Sequence, residues 1–278
     1  MTSNKTLRRL MKHKGAVVGS VLLLLMMAIA LLAPVIAPYP PNDADFTASL
    51  QAPGPQHLLG TDEHGRDLLS RLIYGTRLSL AVGAISVGVG ITLGVAIGAI
   101  AGFVGGWIDN VLMRFMDMLL AFPAILLAVA IVFMLGPGIE KAIIAVGIVS
   151  VPSYARITRG SVLSVRENEY VESARALGAS QGRILWRHVL PNIFAPLLVR
   201  ATLGTSEAIL ETAALGYLGL GARLPTPEWG LMLSRGSAHL YDAPHLVYFP
   251  GIAITLAVLA MNLLGDGLRA ALDPRLTM

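Results

Sequence analysis

Four polar residues in the first quarter of the chain are close enough together to suggest chemistry. Asp62, Glu63, His64 and Asp67 combine carboxylate and imidazole groups, the side chains that bind metal ions or transfer protons. Because no other residue pattern converges on this segment, we interpret it as a turn followed by a helix. We expect Asp67 and Arg71 to form an ion pair on that helix, at spacing i, i+4.

The motifs of common phosphate and metal sites are absent from the sequence. It has no G-x-x-x-x-G-K-[ST] segment, and none of its lysines follows a glycine. Its six histidines show no H-x-x-x-H spacing, and cysteine is missing. We therefore expect no metal site, no resident cofactor and no catalytic residues, so the chain is not expected to be an enzyme.

Two further acids, Glu207 and Glu211, lie four positions apart and share one face of a helix. The stretch around them is long and apolar, and an unpaired acid inside a membrane costs several kcal/mol. Both are candidate pore-lining residues that would take up protons or contact a cationic substrate. Alternatively, they line a wet cavity or pair with an arginine near a helix end.

The composition places these residues in a membrane protein. Of 278 residues, 55% are hydrophobic and 14% are charged, whereas a soluble domain has about 25% charged residues. The net charge of +4 does not indicate a nucleic-acid partner, and it suits contact with membrane lipid.

Gaps between charged residues predict an all-α fold with six transmembrane helices. Four uncharged runs of 22 to 31 residues exceed the roughly 17 residues that a span needs. Two more spans are interrupted by charges. Gly75 should separate the helix after Asp67 from the second span, and Pro123 should kink the third. The predicted spans are about 15–37, 79–104, 113–135, 142–163, 194–218 and 245–268.

The basic residues predict the orientation of these spans. Most of the 21 Lys and Arg residues fall on one side if the N-terminus is inside, and short cytoplasmic loops are rich in Lys and Arg. We therefore expect both termini in the cytoplasm, with residues 1–14 as a basic cytoplasmic segment and 15–278 as the membrane domain.

Small residues recur at every fourth position of the second span. They form one stripe along a helix face, where a neighbouring helix can approach closely. The stripe indicates either packing within the chain or contact with another subunit. Its members are Ser86, Gly90, Gly94, Gly98 and Gly102.

The connection 166–191, which we call the elbow, separates spans four and five. Tyr170, Ala174 and Leu177 form an apolar stripe on its first helix. Gly178 can end that helix in the left-handed conformation, and Pro191 stops the next one. The elbow either docks in a groove of a partner protein or lies on the membrane surface.

The elbow resembles the EAA motif of the transmembrane subunits of binding-protein-dependent ABC importers. The resemblance rests on Glu172-Ser173-Ala174, on Gly178 after a gap of three residues, and on Leu190-Pro191, which ends thirteen residues after the glycine. Ser173 replaces the usual second alanine. Residues 59–80, 227–230 and 262–275 are similar to the peptide/nickel branch of that family, specifically to the second permease of peptide systems.

The resemblance implies the type I ABC importer permease fold, with the elbow as a cytoplasmic coupling helix between helices 4 and 5. The chain would form half of a pore in the cell inner membrane. The implied partners are a homologous second permease, two ATPase subunits that bind ATP, and an extracytoplasmic substrate-binding protein. The residues implied in ATPase coupling are Glu172, Ser173, Ala174, Leu177, Gly178, Leu190 and Pro191.

The same resemblance implies a di- or oligopeptide substrate, with nickel or a nickel chelate as the alternative within the family. A proton-coupled secondary transporter that uses Glu207 and Glu211 is the alternative from another class of protein.

Overall fold

The computed structural model describes residues 10–272, and within that range the chain is helical with one isolated β-bridge, Thr61 to Asp67. Residues 1–9, most of the predicted basic segment, and residues 273–278 lie outside the described range. The helices are α1 (Lys14–Ile36), α2 (Leu68–Val104), α3 (Gly106–Leu120), α4 (Ala124–Leu135), α5 (Ile139–Arg166), α6 (Glu169–Ala176), α7 (Gln181–Ile184), α8 (Phe194–Tyr217), α9 (Trp229–Ser237) and α10 (His245–Leu272).

Five helical segments are long and apolar enough to cross a membrane. They are α1, α2, α5, α10 and the continuous helical stretch Gln181–Tyr217, which includes α8. The pair α3 and α4 passes the same test together but bends by 95°. The bend falls at Pro123, which directly precedes α4 and has no N–H to continue the helix. With this pair counted as one span, residues 10–272 hold six helical segments that could cross a membrane, which is the number predicted from the sequence.

Helix α2 is longer than the membrane is thick. Its 37 residues extend over about 55 Å at ~1.5 Å per residue, against a hydrocarbon core of roughly 30 Å. The predicted break at Gly75 is wrong, because Gly75 lies inside α2. A Cβ there would stand 2.7 Å from the indole of Trp229, so this glycine permits a close contact instead.

The small-residue stripe of α2 lies against α5. All five members are buried, and the Ser86 hydroxyl donates a hydrogen bond to the Ile143 carbonyl oxygen at 3.2 Å. A Cβ at Gly94 would stand 2.8 Å from the Val151 carbonyl oxygen, and one at Gly102 would stand 2.9 Å from that of Arg159. The stripe therefore serves packing within the chain, the first of the two alternatives.

Two ion pairs bind α3 to α5. Arg159 holds Asp109 through two hydrogen bonds of 2.5 and 2.6 Å, and Arg156 contacts Asp117 at 2.7 Å. These pairs hold the first half of the bent span beside α5. After the bend, α4 also packs on α5, because Ala128 and Val132 share an apolar cluster with Val146.

Candidate functional site

The elbow begins where α5 ends and turns sharply at a glycine. Helix α6 has Glu169 and Glu172 in its first turn, where the positive helix end favours acids. Gly178 follows the helix with φ +82°, the left-handed conformation expected from the sequence. The N–H of Ala179 donates to the Ala174 carbonyl oxygen at 3.1 Å, which closes the end of the helix.

One apolar cluster attaches the elbow to the bundle. Val171 is fully buried and contributes to a cluster with Val162 of α5 and Ala99 of α2. From the returning half of the elbow, Ile184, Val189 and, less deeply, Leu190 join the same cluster. The elbow therefore rests on the ends of the two most closely packed helices of the chain.

The outer face of the elbow leaves apolar side chains uncovered. Leu177 is 89% exposed and Trp186 is 73% exposed. Tyr170, Glu172 and Ser173 are exposed as well. The predicted stripe of Tyr170, Ala174 and Leu177 thus lies largely outside the contacts made by the chain, whereas Val171, which the sequence reasoning missed, provides the anchor.

The predicted coupling residues do not all lie on this face. Leu190 is half-buried in the anchoring cluster, and Pro191 is exposed in the 3₁₀ turn that leads into α8. Ala174 is half-buried, whereas Glu172, Ser173, Leu177 and Gly178 are exposed. We call these four residues the elbow face.

Glu207 and Glu211 line a cleft beside the bend of α3 and α4. Both oxygens of Glu207 accept hydrogen bonds from the Arg200 guanidinium, at 2.8 and 2.7 Å. Arg200 also stands over the ring of Tyr154, 5.6 Å from its centroid. The cleft has a volume of about 110 Å³ and is lined by residues of four helices, α3, α4, α5 and α8. Its polar wall consists of Ser150, Ser153, Arg200, Glu207 and Glu211.

The opposite end of α2 is covered by two connections, residues 37–67 and 218–244, which we call the cap. Arg71 is 2% exposed and joins them by donating to the Pro41 carbonyl oxygen at 2.8 Å and to that of Pro225 at 3.2 Å. Its Nε also lies 3.4 Å from Asp62. The cap is therefore held by a buried cation.

The predicted ion pair between Asp67 and Arg71 is wrong. Asp67 caps α2 instead, accepting hydrogen bonds from the N–H and hydroxyl of Ser70 at 2.8 and 2.7 Å. Its other oxygen lies 3.0 Å from Nδ1 of His57. As the N-cap, Asp67 folds its side chain back onto the first turn of α2. Its carboxylate therefore does not pair with Arg71.

The polar group around His64 forms a turn. Ligand atoms of Asp62, Glu63 and His64 lie within 4.8 Å of one another. However, Asp62 accepts hydrogen bonds from the backbone N–H groups of His64 and Arg66 at 2.9 and 3.1 Å, and from the Arg66 side chain at 2.7 Å. The carboxylate that would bind an ion is already used to shape the turn.

In the second connection of the cap, the buried acid Glu228 caps the N-terminus of α9. Glu228 is 3% exposed and accepts hydrogen bonds from the N–H groups of Gly230 and Leu231, both at 2.8 Å. Burial raises the pKa of this carboxyl, while the two N–H donors act in the opposite direction. Trp229 follows and donates to the Leu72 carbonyl oxygen at 3.3 Å, which attaches α9 to α2.

Two family models match the chain. Residues 94–278 match the binding-protein-dependent transport system inner membrane component. Residues 4–53 match the N-terminal transmembrane domain of oligopeptide transport permease C.

Curated relatives are similar over nearly the whole chain. The dipeptide transport system permease protein DppC of Alkalihalophilus pseudofirmus is 47% identical, covering 97% of this chain and 88% of the relative. The di/tripeptide transport system permease protein DppC of Pseudomonas aeruginosa is 49% identical, covering 95% and 89%. The glutathione transport system permease protein GsiD of Pectobacterium atrosepticum is 44% identical, covering 97% and 90%.

A solved structure shares the fold. Inward-facing MetNI, a methionine ABC transporter, matches with a TM-score of 0.61 at 20% identity, covering 73% of this chain and 97% of the matched chain. The family model over 94–278 and the relatives confirm the resemblance seen in the sequence. The chain belongs to the family of inner membrane components of binding-protein-dependent transport systems, the permease subunits of ABC importers.

Proposed function

We propose that this chain forms half of the pore of an importer that carries di- or oligopeptides across the inner membrane. The relatives are named for dipeptides, di/tripeptides and glutathione, all of them short peptides. These names favour a peptide over nickel or a nickel chelate. A homologous second permease supplies the other half of the pore.

The observation that carries this proposal is the uncovered elbow face. A leucine that is 89% exposed at the end of a short helix can enter a partner groove as an apolar contact. We assign this groove to an ATPase subunit, one of two that bind and hydrolyse ATP, so the chain needs no cofactor or catalytic residue of its own.

This assignment sets the orientation of the chain. The elbow lies in the cytoplasm together with both termini, as the Lys and Arg distribution favours. The cap lies at the other end of α2 and faces outward, where an extracytoplasmic binding protein delivers the substrate.

Coupling follows from the way the elbow is attached. Force applied at Leu177 or Gly178 reaches α2 and α5 through Val171, because that side chain is buried between the elbow and both helices. ATP can shift the pore between two states only if the ATPase binds the elbow differently in each state. The elbow face and its single cluster provide such a connection.

The proposal is tested with the complete importer in proteoliposomes, measuring ATP hydrolysis and dipeptide uptake together. Ala174→Trp adds bulk beside the elbow face, and Gly178→Trp adds bulk within it at a φ of +82° that also disfavours a side chain. Both variants are expected to abolish uptake while ATP hydrolysis continues. Gly182→Trp adds the same bulk to α7, where a Cβ meets no atom within 4 Å, and should keep coupled uptake.

Two outcomes would overturn the proposal. One is normal coupled uptake in both Ala174→Trp and Gly178→Trp. The other is uptake driven by a proton gradient in vesicles that contain this chain without ATPase subunits, which would show a secondary transporter.

A further inference from the structure

The polar cleft between α5 and α8 has features that packing alone does not require. On α8, Arg200, Gly204, Glu207 and Glu211 follow one another at spacings of four, three and four, which places them on a single helix face. All four line the cleft, and Ser150 and Ser153 of α5 stand across from them. The face is polar along a helix that otherwise suits a membrane span.

The charges on this face do not cancel. Arg200 holds both oxygens of Glu207 at 2.8 and 2.7 Å, so these two charges neutralise each other. Within residues 10–272, no side chain forms an ion pair or hydrogen bond with the Glu211 carboxylate. An ionised Glu211 therefore gives the cleft one net negative charge.

The broken span provides an independent observation. Leu120, Phe122 and Ala124, which flank the 95° bend, line the same cleft. Non-helical backbone at membrane depth is tolerated only where protein buries it or where it lines a water-filled cavity. Broken helices and intramembrane charges together are typical of substrate sites in transporters.

We infer that this cleft is a cation subsite of the pore, in which Glu211 binds the positively charged amino group of a passing peptide. The inference rests on the proposed function for the identity of the ligand. Ser150 and Ser153 supply hydroxyl groups on the facing wall, and Arg200 keeps Glu207 from adding a second negative charge. A single carboxylate attracts the amino group and still allows the peptide to leave.

The chain has no cysteine, so a Ser153→Cys variant carries the only thiol of this subunit. In the complete importer we would measure its rate of reaction with a cationic and an anionic methanethiosulfonate reagent. The expected result is a rate ratio that favours the cation and falls roughly tenfold when Glu211→Gln removes the charge. A transported dipeptide with a free amino group should slow the reaction.

Ser164→Cys is the matched control, because Ser164 is exposed on the same helix, about 16 Å away along the axis at ~1.5 Å per residue. Its rate ratio should not change with Glu211→Gln. A Ser153→Cys thiol that reacts with neither reagent, a ratio unchanged by Glu211→Gln, or no slowing by dipeptide would each overturn the inference. None of these results depends on the elbow variants, which test the proposed function separately.

Discussion

The cap and the elbow lie at opposite ends of α2, and they differ in where their side chains find partners. Asp62 of the cap is 6% exposed and contacts Arg71 of α2, which is 2% exposed. In the elbow, Leu177 and Trp186 are 89% and 73% exposed. The buried charges of the cap are paired within the chain, whereas the elbow face presents side chains that another protein can cover.

This difference has a consequence for mutations. A residue of the cap should affect the stability of the chain, because its partners lie within the chain. A residue of the elbow face should affect the binding of a partner and leave the stability of the chain nearly unchanged. Variants of the two regions therefore separate along two measurements, the free energy of unfolding and the affinity for the ATPase subunit.

The largest effect on stability is expected from Arg71→Ala. Removing this guanidinium leaves the carbonyl oxygens of Pro41 and Pro225 without their donor and Asp62 without one of its two arginines. Breaking a buried pair costs about 3–5 kcal/mol, to be measured by unfolding in detergent.

Arg235→Ala is the control, because Arg235 is half-exposed and lies 4.0 Å from Glu63, and it should cost about 1 kcal/mol or less. Equal losses would contradict the role given to Arg71.

A smaller loss of stability is expected from Gly94→Ala, in the part of α2 that lies between the cap and the elbow. In Gly94→Ala the added Cβ would stand 2.5 Å from the Cβ of Tyr154 and 2.8 Å from the Val151 carbonyl oxygen, so α2 and α5 must separate at a cost of about 1–3 kcal/mol. Gly88→Ala places the same methyl group where no atom lies within 4 Å. It should be neutral or stabilise α2, since alanine favours helices over glycine.

The sequence predicts the features that depend on spacing along the chain. The spans follow from uncharged runs because the membrane core excludes charge, and the α2 stripe follows from its period of four. Gly178 ends α6 as expected because only the local backbone decides that conformation.

Features that depend on distant partners could not be predicted in this way. Arg71 turns to carbonyl groups more than 150 positions away instead of to its neighbour on the helix. Val171 is the elbow anchor because Ala99 and Val162 happen to face it, and nothing in the elbow sequence indicates their approach. A proline indicates a bend, but the angle of 95° depends on how α3 and α4 pack.

Shortening Val171, the side chain that anchors the elbow, should destabilise the elbow alone. Val171→Ala removes two buried methyl groups, which costs about 1.5 kcal/mol at ~0.8 kcal/mol per group. Because the buried apolar side chains of the elbow belong to one cluster, this loss should appear as faster hydrogen exchange across residues 169–191 with little change in the rest of the chain. Val104→Ala makes the same change at a valine that is 58% exposed and should leave exchange in the elbow unaltered. Uniformly faster exchange across the chain would show that the elbow is part of the main core.

The smallest effect on stability is expected at the tip of the elbow, where the effect on binding should be large. Leu177→Glu changes a side chain that contacts little of its own chain, so unfolding should shift by about 0.5 kcal/mol or less. Affinity for the ATPase subunit should fall at least about tenfold, because a charge then enters an apolar groove. Leu58→Glu makes the same change at a leucine of the cap that is 62% exposed, and ATPase affinity should be unchanged. If both variants bound the ATPase as the original chain does, the exposed side chain of Leu177 would have no role in coupling.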